Sequence, residues 1–117
     1  MQEKINHIKV NETEYPLVFN LNVMEKIQDK YDTIENWGNL TDGKEHEINI
    51  KALKFGITEM INEGIDIEND NQEIKREFLT NKQVGRIITE LGIEKIANDV
   101  QDTVIESTKI EDNSKNV

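Results

Sequence analysis

Apolar and polar residues alternate near the start of the chain, and the spacing then changes to that of helices. Residues 4–10 carry apolar residues that predict a first β-strand, and the polar residues 11–14 predict a connection of hairpin size. A second strand is predicted by alternate apolar positions on one side: Tyr15, Leu17, Phe19 and Leu21. Asn11 suits turn geometry, and Pro16 implies an edge position because it cannot donate a backbone hydrogen bond. The pattern predicts a β-hairpin whose apolar side packs on helices.

Helical spacing begins directly after this strand. Apolar residues recur every four positions and predict a helix over residues 22–31, with Asn20 or Asn22 as its N-terminal cap. A second capping pattern then predicts a short helix over residues 33–37, capped by Asp32. Gly38 is available to end the short helix.

The longest helical pattern is predicted to begin after Asn49, whose side chain can cap the first turn while Ile48 and Leu53 form a hydrophobic staple. One face of this helix is apolar along its length: Ile50, Leu53, Ile57, Met60, Ile61 and Gly64. Ala52 and Phe55 widen that face, which predicts contacts on more than one side and a central position in the fold.

Two further helices are predicted in the C-terminal half of the chain. Thr80 and Gln83 form a capping box for a helix that Gly92 closes, and a last helix is predicted over residues 93–109. The apolar stripe of the last helix contains Ile93, Ile96, Ala97, Val100 and Val104. Residues 110–117 have nothing to bury and are predicted to form a disordered tail.

These elements predict a single domain over residues 1–109. Its fold class is α+β, with an N-terminal β-hairpin packed on a small bundle of about four helices. A chain of 117 residues can bury one modest core without metal ions or disulfides.

Composition narrows the range of functions. The chain has no cysteine, which removes disulfides, thiolate metal sites and thiol catalysis. It has no charged-then-apolar leader and no long apolar run, so neither a signal peptide nor a membrane span is expected. A formal charge of −10 repels phosphate backbones, so direct binding to nucleic acid is not expected. The acidity is typical of a well-solvated surface, and a basic partner or mimicry of DNA are the alternatives.

One acidic segment, residues 66–77, has polar or acidic residues at the ligand positions of a calcium-binding EF-hand loop. Its sixth position is Asn71 instead of glycine, and its third is Glu68, whose longer side chain crowds a tight loop. A solvated loop is therefore the preferred interpretation, and calcium binding is the alternative. His7 and His46 lack the spacing of metal ligands. No catalytic residue, metal ligand or cofactor is assigned, and the chain is not expected to be an enzyme.

Four residues are candidates for contact with a partner protein: Trp37, Val100, Val104 and Ile105. Trp37 either anchors the segment after the first helix to the core or presents its ring to a partner. Val100 and Val104 belong to a stripe that is either core or interface. Ile105 lies about a third of a turn off this stripe, on the outside.

Three pairs of segments carry a further indication of function. They are YPLVF at residues 15–19 leading to NVMEKI at 22–27, IKALKF at 50–55 leading to MINEG at 60–64, and LT at 79–80 followed by VGR at 84–86. In order and separation they are similar to segments of the tail assembly chaperones of long-tailed phages and prophages, over roughly residues 4–108. None of these motifs is catalytic.

The resemblance implies binding without chemistry. Chaperones of this family bind the tape measure protein before the tail tube forms around it, and the tail tube protein is a second implied partner. The resemblance also implies a location in the host cytoplasm and absence from the mature virion. Two alternatives belong to other classes: an acidic DNA mimic or inhibitor that occupies a nucleic-acid-binding surface, and a structural subunit of the particle.

Overall fold

The described part of the chain begins with an antiparallel β-hairpin. In the computed structural model, which describes residues 5–115 and the side chains as far as residue 107, β1 (Asn6–Val10) pairs with β2 (Thr13–Leu17). Ile8 and Leu17 are buried on one side of the pair, whereas His7 and Lys9 are exposed on the other. The predicted hairpin and its buried side are confirmed.

The turn of the hairpin is shorter than predicted. Val10 is paired with Thr13, so only Asn11 and Glu12 connect the strands. Asn11 has a φ of 56°, a left-handed conformation that asparagine tolerates better than most residues. Glu14 pairs within the second strand instead of belonging to the connection.

The second strand ends at Leu17, earlier than the alternation predicts. The next residues are still buried, and the Val18 amide donates a hydrogen bond of 3.2 Å to the Met60 carbonyl. Leu21 was predicted on the apolar side of the strand, but it is the first residue of a helix and is 70% exposed. The chain turns into the helix at Asn20, so the strand alternation no longer decides where Leu21 lies.

Five helices follow within residues 5–115: α1 (Leu21–Tyr31), α2 (Ile34–Thr41), α3 (Ile50–Asn69), α4 (Asn81–Leu91) and α5 (Ile93–Lys115). The α+β class is confirmed, but the number of helices is five instead of about four. The difference arises because α2 extends through Gly38 and forms about two full turns. In this part of the chain no helix is both long and apolar enough to cross a membrane.

Asn20, not Asn22, caps α1. Its side-chain oxygen accepts a hydrogen bond of 3.2 Å from the Val23 amide. The side-chain amides of Asn20 and Asn22 both donate to the same carboxylate oxygen of Glu63, at 2.8 and 2.9 Å. Asn22 therefore holds the start of α1 against the central helix instead of capping it.

Thr33, not Asp32, caps α2, because Asp32 ends α1 with a φ of 74°. The Thr33 hydroxyl accepts a hydrogen bond of 2.9 Å from the Asn36 amide. The other predicted caps are confirmed. The Asn49 side chain accepts from the backbone of α3, and the capping box at the start of α4 is formed in both directions.

The last helix reaches Lys115, beyond the predicted end at residue 109. Extending an existing helix adds one hydrogen bond per residue and does not repeat the cost of nucleation, so a polar segment can continue it. The predicted disorder of residues 110–117 stays a prediction. Residues 116 and 117 lie outside the described part of the chain.

The long helix α3 is the centre of the fold, as its wide apolar face predicts. It contacts β2, α1, α2 and α4, and its buried residues are Ala52, Leu53, Gly56, Ile57, Met60, Ile61, Gly64 and Ile65. Ile50 was predicted on the same face, but it is 55% exposed because it is the first residue of α3. Phe55 is half-buried, with its ring edge-on to Tyr31 at a centroid distance of 5.8 Å.

Two glycines let other elements approach α3 closely. A Cβ atom at Gly56 would lie 2.2 Å from the Trp37 ring of α2, and one at Gly64 would lie 2.6 Å from Pro16 of β2. Real Cβ atoms do not approach neighbours so closely. The absence of a side chain at these positions therefore sets how near α2 and the hairpin lie to the central helix.

Replacing Gly56 with alanine is expected to lower the free energy of unfolding by about 1–3 kcal/mol, because the added methyl overpacks the buried ring. Chemical denaturation with urea would measure the change. Gly38→Ala is the matched control, since its Cβ would meet nothing within 4 Å and alanine favours the helix by about 0.5–1 kcal/mol. Equal shifts in both variants would contradict the close packing of Trp37 on Gly56.

Candidate partner-binding surface

The segment considered for calcium does not have the geometry of an ion-binding loop. Asp66 and Glu68 lie in the last turns of α3, which ends at Asn69. The Asn69 side chain exchanges two hydrogen bonds of 2.9 Å with the backbone of Arg76, so it closes the segment that follows the helix. In the described residues, no group of three or more His, Asp or Glu side chains lies together so that it could hold a metal ion.

The histidines, a late serine and a tyrosine carry groups capable of chemistry, and each has a simple structural setting. His7 lies 3.0 Å from the Glu68 carboxylate at an exposed position, and His46 is exposed in the loop between α2 and α3. The Ser107 hydroxyl is buried and donates to the Thr103 carbonyl of its own helix. Burial raises the pKa of the Tyr31 hydroxyl, so that group stays protonated at neutral pH.

Trp37 belongs to the core. Its side chain is 2% exposed, its ring lies against Gly56, and its indole nitrogen donates a hydrogen bond of 2.9 Å to the Ala52 carbonyl. This supports the interpretation of Trp37 as an anchor. Contact with a partner, the other interpretation, is incompatible with this burial because the ring has no free surface to offer.

The three candidates on α5 differ in exposure. Val100 is buried in the core cluster, and Val104 is half-buried against it. Ile105 lies on the outside, as its offset from the stripe predicts, and is 56% exposed. Of the four sequence-predicted contact residues, only Ile105 offers most of its side chain to a partner. No contact in the described part of the structure joins Trp37 and Ile105 in one surface patch.

Large apolar side chains are also exposed at positions that the sequence did not indicate. Among the described side chains these are Leu21, Ile50, Ile74 and Phe78. Leu21 is the first residue of α1 and Ile50 is the first residue of α3. At these helix ends the neighbouring elements do not cover the apolar face. Ile74 and Phe78 lie in the connection between α3 and α4. The sequence does contain one indication that Ile74 and Phe78 are exposed, since both stand alone within a polar segment.

These apolar side chains lie on an acidic protein. The chain carries 24 acidic against 14 basic residues. Exposed apolar groups on such a surface can contact a partner while the net charge keeps the protein dispersed. The arrangement is chemically suited to contact with a partner. No protein-family model, curated protein or solved structure matches the chain.

Proposed function

We propose that this chain is a non-enzymatic tail assembly chaperone of a long-tailed phage or prophage, which binds the tape measure protein and keeps it soluble until the tail tube forms. The observation that carries the proposal is the resemblance of three motif segments to this family, together with the way those segments contact one another. The proposed location is the host cytoplasm. The tail tube protein is a further proposed partner.

The motif segments of the hairpin and the central helix are in direct contact. Pro16 packs against Gly64, and the Val18 amide donates to the Met60 carbonyl. Pro16 and Val18 belong to the first motif pair, and Met60 and Gly64 to the second. Some of the residues that carry the resemblance therefore also make the contacts that hold the hairpin on the central helix.

The third motif pair is joined to the second in the same way. The Asn62 side chain accepts from the Leu79 amide at 2.8 Å and donates to the Leu79 carbonyl at 3.0 Å. Asn62 thus holds the residue that precedes the Thr80 cap of α4. The resemblance extends over one connected framework, which supports its use as a guide to function.

Surface chemistry gives a second line of support. A long, helix-rich polypeptide with apolar stripes aggregates unless the stripes are covered. A small acidic partner with exposed apolar side chains can cover them and disperse the complex through its charge. Many weakly bound copies along one target suffice through avidity, and polymerisation of the tube can displace them.

The main alternative is an acidic DNA mimic, and the one observation that favours it is the net charge of −10. Binding by a mimic depends on many ion pairs, so its affinity falls steeply with salt. The affinity of a chaperone that binds through apolar surface changes much less between low and high salt. Purified virions provide a further test, because a chaperone is absent from them and a structural subunit persists.

Ile105→Asp is expected to weaken binding to the tape measure protein about tenfold or more, since an apolar side chain buried on binding contributes about 1.5–3 kcal/mol. Co-expression followed by co-purification of the two proteins would measure the loss. Asn81→Asp adds the same charge at another exposed helical position and should bind normally. Unchanged co-purification of Ile105→Asp, with the wild type binding, would remove Ile105 from the contact surface.

A further inference from the structure

A groove runs between the starts of α3 and α5, away from Ile105. One part, of about 270 Å³, is lined by Ile50, Lys54, Gly85, Ile88, Thr89 and Ile93. The adjoining part, of about 580 Å³, shares Ile50 and Ile93 and continues past Ile48 and Ala97 to the loop between α2 and α3. We call these two parts together the α3–α5 groove.

The groove exists because two helices begin beside a position without a side chain. Ile50 is the first residue of α3 and Ile93 the first of α5, so neither is covered by a preceding turn of its own helix. Gly85 of α4 gives the Lys54 side chain room to lie across it, with the Lys54 Cε 3.1 Å from where a Cβ would be. The floor of the smaller part is mainly apolar, with Lys54 across it, and Ile50 beside it is more than half exposed.

The rim of the groove is acidic. Its lining includes the carboxylates of Asp42, Glu47 and Glu94, against one lysine, Lys54, and the imidazole of His46. An apolar floor with acidic edges matches a helix whose apolar stripe is flanked by lysine or arginine. A second copy of this chain is a poor occupant, because its own charge of −10 opposes the same rim.

We propose that the α3–α5 groove binds a basic amphipathic helix of a partner protein. Apolar side chains of that helix contact Ile50, Ile88 and Ile93, and its flanking cations lie near Asp42, Glu47 and Glu94. The chemistry of this site follows from the groove itself. Its assignment to a helix of the tape measure protein rests on the proposed function.

The first experiment uses a synthetic peptide of about 20 residues, with leucine and lysine at helical spacing, and a counterpart with glutamate at each lysine position. Amide NMR shifts of the full chain would locate binding. The lysine peptide should saturably shift the amides of Ile50, Ile88 and Ile93, and the glutamate peptide should not. Shifts spread over the whole surface, equal binding of both peptides, or no saturable binding would overturn the proposal.

Variants separate the apolar and charged parts of the site. Ile50→Asp should weaken binding of the lysine peptide about tenfold and still fold, since an acidic residue is favourable in the first turn of a helix. Ile74→Asp makes the same change at an exposed residue that does not line the groove, and should bind as the wild type does. Glu47→Lys should weaken binding through charge alone. Wild-type affinity in Ile50→Asp would refute the site.

A parallel assay with the tape measure protein distinguishes failure of the groove from failure of the proposed function. If wild-type chain does not keep that protein soluble, the proposed function fails, whatever the peptide does. If wild type and Ile50→Asp solubilise it equally, the groove is not where it docks. Loss of solubilisation in Ile50→Asp but not in Ile74→Asp is the result expected.

Discussion

Trp37→Ala is expected to lower the free energy of unfolding by about 3–5 kcal/mol, the range for truncating a buried large aromatic side chain. The ring fills the space between α2 and α3 above Gly56, and its N–H donates to the Ala52 carbonyl. Removing it leaves a cavity and deletes that hydrogen bond. Urea denaturation followed by circular dichroism would measure the change, which is a large fraction of the total stability of about 5–15 kcal/mol typical of a domain.

Two further variants test the cause of this loss. Trp37→Phe keeps most of the buried area and loses the N–H, so it should lose less stability than Trp37→Ala; the missing hydrogen bond accounts for about 0.5–1.5 kcal/mol. In the Trp37→Ala background, Gly56→Ala should no longer destabilise the protein, because the atoms that it would overlap are gone. Strictly additive effects of the two alanine substitutions would show that the ring and Gly56 are not in contact.

Leu53→Ala is expected to lower the free energy of unfolding by about 2–5 kcal/mol. Leu53 is buried in α3, which carries contacts from the hairpin and three other helices, so the neighbours cannot all move to fill the cavity. The urea midpoint of the purified variant would be compared with that of the wild type.

Leu21→Ala provides the matched control for Leu53→Ala. It removes the same atoms from a side chain that is largely exposed, and should change stability by less than about 0.5 kcal/mol. If the urea midpoint of Leu53→Ala were unchanged, α3 could not be the central helix. A loss in Leu21→Ala as large as that in Leu53→Ala would mean that burial does not explain the difference between the two sites.

Much of the secondary structure could be predicted because its causes are local. The capping box of Thr80 and Gln83 joins atoms of residues three positions apart, and Asn49 caps the first turn of its own helix. Gly92 closes α4 with a φ of 96°, as predicted from its place after the last apolar residue. Such contacts involve only residues close in sequence, so a local pattern can predict them.

The errors in local structure occur where two neighbouring residues could serve the same role. Asn20 and Asn22 are both suitable caps, and so are Asp32 and Thr33. At α1 both asparagine side chains bind Glu63 of the central helix, and Asn20 in addition accepts from the Val23 amide. The choice at α2 is made by Asp32, which is used to end α1. The contacts with Glu63 join residues more than 40 positions apart, so a local pattern does not show them.

The candidate surface was predicted only in part. The position of Ile105 off the apolar stripe of α5 correctly predicted an exposed side chain. Ile50 was predicted inside because it continues the apolar spacing of α3, yet it lines an open groove. A helical pattern shows which side of a helix is apolar, but not how far the neighbouring elements extend to cover it.

Local patterns in the sequence predict the hairpin, all five helices (the second shorter than observed) with most of their ends, and the apolar faces that form the core, because these depend on residues within a few positions of each other. Contacts between distant parts of the chain bury Trp37 and leave Ile50 and Ile93 at the border of a groove. The burial of Trp37, for example, depends on Gly56 beneath its ring. Whether a side chain is buried depends on which other elements pack against it, so the sequence of its own segment does not decide its burial.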